Sequence, residues 1–172
     1  MKRSLLLLAF AWLGLVLEAA CKTALPQWLP TPEMGLIVLL YAAMGRRGSS
    51  GGIAALALVL GYLTDLSTGA PRGLHMAVYT ITGISAQTTA SRILVGSTLA
   101  TAIGSALFAS WAGALSVILR VAVNPAIGWG VLGAVPGTAL ATAVAAPVLF
   151  SLLERMEVQL ALDPVADRRR LR

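Results

Sequence analysis

Long apolar stretches alternate with short polar, glycine-rich or proline-rich breaks along this chain of 172 residues. The stretches are rich in Leu, Ala and Gly and lack the two-residue alternation of half-buried strands, which indicates helices. We interpret six of them as membrane spans: about Ser4 to Ala20, Glu33 to Met44, Ser50 to Thr64, Leu74 to Ala90, Ile93 to Leu119 and Val131 to Leu153. We therefore predict an all-α integral membrane protein, a six-transmembrane-helix bundle over residues 1–153 with a basic cytoplasmic tail over residues 154–172.

The second and third predicted spans are short. A helix that crosses the hydrocarbon core needs roughly 20 apolar residues, with a range of about 17–25. These two spans therefore require help from flanking residues, such as Leu25 to Pro32, or local thinning of the bilayer. A re-entrant hairpin formed by both segments is the alternative interpretation.

The distribution of basic residues favours six spans. With a cytoplasmic N-terminus, six crossings leave 3 of the 13 Lys and Arg residues outside, namely Lys22, Arg72 and Arg120, and the other 10 inside. Cytoplasmic loops carry an excess of Lys and Arg, so both termini are predicted to be cytoplasmic. Removing either short span alone loses this bias, whereas removing both preserves it, so the hairpin alternative stays open.

Composition supports a lipid environment. Hydrophobic residues make up 58% of the chain and charged residues 12%, against about 45–50% and about 25% in soluble domains. The formal net charge is +6, but the basic residues lie between and beyond the apolar stretches and do not interleave with aromatic residues. This placement favours anionic lipid head groups and argues against nucleic acid as a partner.

The N-terminal segment resembles a signal peptide, since Lys2 and Arg3 precede an apolar core and a group of small residues. Glu18 stands where a lipoprotein signal normally has an apolar residue before its cysteine, here Cys21. We therefore interpret the segment as an uncleaved first span.

Residues that carry chemistry are scarce. The chain has one His and one Cys, far apart in sequence, and lacks a convincing metal-ligand set or a nucleophile with its base. We predict that the protein is not an enzyme and has no catalytic, metal or cofactor-binding residues.

The most informative polar segment lies between the third and fourth predicted spans. It contains Asp65, Gly69, Pro71, Gly73 and His75. Charged groups at the edge of an apolar span are costly and tend to have a function. Two roles are open for the acid and the histidine: positioning the two helices or partners, and proton transfer, of which we favour the first.

Two predicted spans carry ridges of small side chains, four residues apart. The fifth span has Ser97, Thr101, Ser105, Ala109 and Gly113, and the sixth has Gly133, Gly137, Ala141 and Ala145, with predicted kinks at Pro136 and Pro147. Small residues allow close helix packing in membranes. The ridges can serve packing within the bundle, which we favour, or binding of a partner helix.

The polar segment between the third and fourth spans resembles the MreD family of bacterial rod-shape determinants. Members typically carry a span ending in G-[FY]-x-x-D-L, then a small-residue turn, then P-x-G-L-[HN]. The matching positions here are Gly61, Tyr62, Asp65, Leu66, Gly69, Pro71, Gly73, Leu74 and His75. The proline-rich segment before the second span and the last span, around Pro147, are also similar, whereas Arg72 stands where an apolar residue is common.

The resemblance implies a noncatalytic scaffold of the bacterial cell-elongation (rod) complex in the cytoplasmic (inner) membrane, helping to regulate peptidoglycan synthesis and cell shape. The implied direct partner is an MreC-like single-span protein, with a RodA-type glycosyltransferase, a class-B penicillin-binding protein and MreB as indirect partners.

The implied fold is similar to the substrate-binding subunits of energy-coupling-factor vitamin transporters. The alternative function is therefore vitamin binding in such a transporter, for which Tyr62, Asp65, His75, Tyr79 and Gln87 are the candidate contacts.

Overall fold

The computed structural model describes residues 2–24, 30–45, 49–90, 98–125 and 128–159. This part of the chain is helical, which confirms the all-α prediction for the described residues. The elements, in order, are α1 (Lys2–Ala24), α2 (Met34–Met44), α3 (Ser50–Thr68), α4 (Leu74–Ala90), α5 (Thr98–Val123), a 3-10 helix (Trp129–Ala134) and α6 (Val135–Gln159).

Several helix ends differ from the sequence prediction. The bounds of α4 are as predicted, whereas α3 continues to Thr68 and so includes Asp65 in its last turn. The predicted start of the fifth span, with Ser97, lies outside the described residues. Because α6 runs on to Gln159, it enters the predicted tail, and the rest of that tail also lies outside the described residues.

The first residues of the predicted sixth span are helical but not α-helical. Residues from Trp129 to Ala134 form the 3-10 helix, and α6 starts at Val135. Two glycines in this segment explain the difference, since glycine is a poor α-helix former. Pro136 consequently lies in the first turn of α6, where a missing N–H costs no helical hydrogen bond, and only Pro147 lies inside the helix.

The short helix α2 forms the centre of the bundle. Its residues from Leu36 to Leu40 are all at most 1% exposed, and Ala42 and Ala43 are also buried. A helix that is apolar on every face is stable only when other helices surround it. Helices α1, α3, α4 and α6 all pack against α2, and the rings of Tyr41 and Phe150 meet edge to face at 5.2 Å across the α2–α6 contact.

Four of the described helices are long and apolar enough to cross a membrane: the segments Leu5–Ala24, Ser50–Thr68, Thr98–Val123 and Trp129–Gln159. Their outward faces carry exposed apolar side chains, such as Leu107 and Val144. By contrast, α2 has 11 residues, which at about 1.5 Å per residue covers roughly half of a 30 Å hydrocarbon core. Crossing by all six helices therefore stays a prediction.

Helices α3 and α4 come closest at Gly61. A Cβ atom added to this glycine would lie 2.5 Å from both the N and Cα atoms of Met76 and 2.6 Å from the carbonyl oxygen of His75. The two helices thus meet backbone to backbone, and only glycine fits at the crossing.

Candidate functional site

The carboxylate of Asp65 caps the following helix. Its Oδ2 accepts a hydrogen bond from the backbone N–H of Gly73 at 2.8 Å, and its Oδ1 accepts one from the N–H of His75 at 2.9 Å. Oδ1 also lies 2.8 Å from His75 Nδ1. Helix starts leave backbone N–H groups unpaired and attract negative charge. Asp65, in the last turn of α3, thus fastens the start of α4.

Two glycines shape the turn that makes this cap possible. Gly69 ends α3 with φ of 65°, and Gly73 precedes α4 with φ of 93°. Side-chain-bearing residues disfavour such left-handed backbone, which explains glycine at both positions. The reversal between them brings the first N–H groups of α4 back to the Asp65 carboxylate.

His75 and Tyr79 extend this contact into the core. Their rings meet edge to face with centroids 6.0 Å apart, and the Tyr79 hydroxyl is hydrogen-bonded to the Thr64 side chain. Tyr79 is 2% exposed and packs over Gly35, whose missing side chain leaves room for the ring. The predicted turn residues therefore connect α3, α4 and the central helix, which supports a positioning role for the pair Asp65 and His75.

A second carboxylate, whose role the sequence analysis missed, caps the central helix. Glu18 of α1 is 7% exposed, and its Oε2 accepts a hydrogen bond from the backbone N–H of Met34 at 3.0 Å. Its Oε1 pairs with Lys22 Nζ at 2.6 Å. One residue earlier, the Glu33 N–H donates to Thr142 Oγ1 of α6 at 3.3 Å. The sequence feature that could have indicated this role is a lone acid late in an apolar span.

We expect Glu18→Ala to destabilise the protein by about 1–3 kcal/mol, because it leaves the Met34 N–H and Lys22 without their acceptor. Thermal unfolding in detergent, followed by tryptophan fluorescence, measures the effect. Glu154→Ala is the matched control, since Glu154 is an exposed acid on α6. Equal unfolding temperatures for the two variants would contradict a capping role for Glu18.

We call the end of the bundle that contains Glu18, Met34, Asp65 and His75 the capped end. Helices α1 and α3 finish there, and α2 and α4 start there. A cavity of about 370 Å³ lies at this end, lined by Leu15, Glu18, Ala19, Lys22, Ser67, Thr68 and Arg120. It brings together two of the three basic residues predicted to lie outside.

The small-residue ridge of α5 is used inside the bundle. Ser105 is 0% and Ala109 is 6% exposed, and a Cβ atom on the buried Gly113 would lie 2.8 Å from Val135 Cγ1. Thr101, on the same ridge, is partly buried and also makes a side-chain or backbone contact. The interior packing that we favoured for this ridge agrees with these positions.

The ridge of α6 has a different environment. Gly133 lies in the 3-10 helix, where a Cβ atom would meet no described atom within 4 Å. From Gly137 onward, the ridge lines an open, apolar groove of about 610 Å³ between α6 and the start of α2. The groove residues are Pro30, Met34, Gly137, Leu140, Ala141, Val144, Ala145, Val148 and Leu149, and Pro147 lies one residue before Val148.

The candidate vitamin contacts lie apart from the two cavities described above. Tyr62 is 45% exposed on α3, whereas Asp65, His75 and Tyr79 are buried and bonded to neighbouring groups. Neither these residues nor Gln87 line the polar cavity or the α6 groove. Within the described ranges, no three His, Cys, Asp or Glu side chains come together as a possible metal site.

Comparison with known proteins identifies the family. Residues 1–155 match the family model described as rod shape-determining protein MreD. No curated protein and no solved structure matches the chain, so the similarity to energy-coupling-factor subunits stays a prediction. The family match covers α1 to α5 and all but the last four residues of α6. The chain therefore belongs to the MreD family, and its role lies in the determination of rod shape.

Proposed function

We propose that this protein is a noncatalytic membrane scaffold of the bacterial rod complex, and that it binds the single membrane-spanning helix of an MreC-like partner in the groove along α6. The observation that carries the proposal is the ridge of Gly137, Ala141 and Ala145, which is partly exposed and lines the open groove. The corresponding ridge of α5 is already covered by the protein itself.

The groove is suited to a helix because its floor is made of small side chains. Helices in lipid associate mainly by close van der Waals packing, which small residues permit. The exposed side chains of Leu140, Val144 and Val148, each 66% or more exposed, form a raised wall beside the ridge. A partner helix in the groove would cover this wall and gain contacts that mobile lipid chains make less well.

The proposed membrane arrangement is six spans in the cytoplasmic membrane, with both termini in the cytoplasm and the capped end outside. The support is the excess of basic residues at the opposite end of the predicted spans. In this arrangement the scaffold would link the MreC-like partner to the RodA-type glycosyltransferase, the class-B penicillin-binding protein and MreB, and so influence peptidoglycan synthesis.

A leucine placed in the groove should block the partner. We expect Ala141→Leu to reduce recovery of the MreC-like protein about tenfold, since an overpacked contact costs about 1–3 kcal/mol. The measurement is co-purification from native membranes in mild detergent, with mass spectrometry of the bound proteins. Ala55→Leu is the matched control, because Ala55 is an exposed alanine of α3.

Full recovery of the partner with Ala141→Leu would exclude the groove as its binding site. Recovery of a paired ATPase module with a tightly bound small molecule, in place of cell-wall proteins, would favour the vitamin-transporter alternative. Chromatographic elution of both variants as one sharp peak controls for misfolding.

A further inference from the structure

Arg120 lines the cavity at the capped end and forms no ion pair among the described residues. Its Nε atom is buried and has no hydrogen-bond partner among the described residues. Arg has five N–H donors and stays charged, so a buried guanidinium normally bonds to a carboxylate, phosphate or carbonyl group. A buried N–H donor at the wall of a cavity is suited to bind a group that accepts a hydrogen bond, such as an anion.

The acids near Arg120 form no ion pair with it among the described residues. Glu18 lines the same cavity, but its two oxygens are used by Lys22 and by the N–H of Met34. Glu33 lies within electrostatic range of Arg120 and Lys22, yet it makes no ion pair with either among the described residues. On the walls of the cavity, Lys22 is therefore paired with Glu18, and Arg120 is the basic residue without an ion-pair partner among the described residues.

The partial charges of the helix ends around the cavity largely oppose each other. Helices α1, α3 and α5 finish at the capped end, whereas α2 and α4 start there. The partial negative charge of the first set is opposed by the partial positive charge of the second. Lys22 and Arg120 each lie in the last turn of their helix, and of the two only Lys22 has an ion-pair partner among the described residues, Glu18.

The walls of the cavity change from apolar to polar along α1. Leu15 and Ala19 line the cavity, and Lys22 lies on the same face of α1, nearer the helix end. On the α3 side, the hydroxyl groups of Ser67 and Thr68 donate to the Thr64 carbonyl, which leaves their oxygens able to accept hydrogen bonds. The lining thus combines apolar, basic and hydroxyl-bearing side chains, and an anionic lipid has an acyl chain, a phosphate and a polar head group that can contact them.

We propose that the cavity between α1, α3 and α5 binds a phosphate group through Arg120 and Lys22, and that the phosphate belongs to an anionic membrane lipid. The planar guanidinium would donate paired hydrogen bonds to phosphate oxygens. Lys22 has three donors, of which one goes to Glu18, so its ammonium group can also donate to the phosphate. This site is separate from the α6 groove and does not depend on the partner proposed for that groove.

The test is native mass spectrometry of the purified full-length protein with two lipids that have the same acyl chains, phosphatidylglycerol and diacylglycerol. We expect one tightly bound phosphatidylglycerol and at least about tenfold weaker binding of diacylglycerol, because the latter lacks the phosphate. Arg120→Gln should weaken phosphatidylglycerol binding about tenfold, and Arg120→Lys should give an intermediate loss.

Arg72→Gln is the matched control, since Arg72 is an exposed arginine beside the turn at the same end of the bundle. It removes the same charge and should bind phosphatidylglycerol like the unaltered protein. Equal binding by Arg120→Gln and Arg72→Gln would overturn the proposal. Inorganic phosphate forms a second arm: binding of the ion alone, lost in Arg120→Gln, would keep the phosphate site but assign it to free phosphate.

Discussion

Replacing Gly61 by alanine should destabilise the protein more than any other single-methyl change in α3. The added Cβ would lie 2.5 Å from the backbone of Met76, where no side-chain rotation can relieve the overlap. Helices α3 and α4 must then move apart, and we expect a loss of about 3 kcal/mol. Thermal unfolding in detergent, with tryptophan fluorescence as the signal, measures it.

The same helix provides a control for this substitution. Gly51 lies in the first turn of α3, and a Cβ atom there meets no described atom within 4 Å. Gly51→Ala should leave the unfolding temperature unchanged or raise it slightly, since alanine favours helix more than glycine does. If the two variants unfolded at the same temperature, the inference that α3 and α4 meet closely at Gly61 would be wrong.

Replacing Asp65 by alanine should also have a large effect, with a different cause. The change removes the acceptor of two backbone N–H groups, those of Gly73 and His75, and the partner of His75 Nδ1. Because Asp65 and His75 are buried, we expect a loss of about 3 kcal/mol, the upper end of the range for leaving a buried donor unsatisfied. The unfolding temperature in detergent and the recovery of the MreC-like partner should both decrease.

Asp65→Asn separates the shape of the side chain from its charge. Asparagine keeps one oxygen that can accept from an N–H of α4, so we expect an intermediate unfolding temperature. Glu154→Ala removes an exposed acid and serves as the control for charge alone. Unaltered stability of Asp65→Ala would show that α4 does not need its cap from α3.

The two carboxylate caps suggest how a bundle with a very short central helix keeps its shape. Helix α2 has few turns, and both Glu18 of α1 and Thr142 of α6 hold its start. Asp65 does the same for α4. In a low-dielectric surrounding, such hydrogen bonds are strong and unpaired N–H groups are costly. The Glu18 cap therefore holds the start of α2 beside the α6 groove, and the Asp65 cap holds α4 to α3, which lines the polar cavity.

Much of the secondary structure could be predicted because a membrane helix is recognisable from the hydropathy of consecutive residues. The bounds of α4 and the polar segment around Asp65 followed from apolar runs and from the residues that interrupt them. The start of α6 could not be predicted in this way. The segment from Trp129 to Ala134 is apolar enough for a span, but its backbone forms a 3-10 helix.

The residues of the site also divide into those that could be predicted from the sequence and those that could not. The turn residues were found because a carboxylate, two glycines and a histidine interrupt apolar sequence. The capping role of Glu18 was missed because its acceptor contact joins it to Met34, 16 residues later. The position of Arg120 at a cavity could not be predicted from the sequence either, since the cavity combines residues of three helices that are far apart along the chain.

By itself, the sequence determined that this protein is a helical membrane protein and that a polar turn follows its third helix, because hydropathy and turn chemistry are local properties. Only the tertiary structure decided which ridge of small residues is free. The α5 ridge is buried at Ser105 and Ala109, whereas the α6 ridge at Ala141 lines an open groove. The two ridges have similar residues at the same spacing, and their difference arises solely from which helices pack against them.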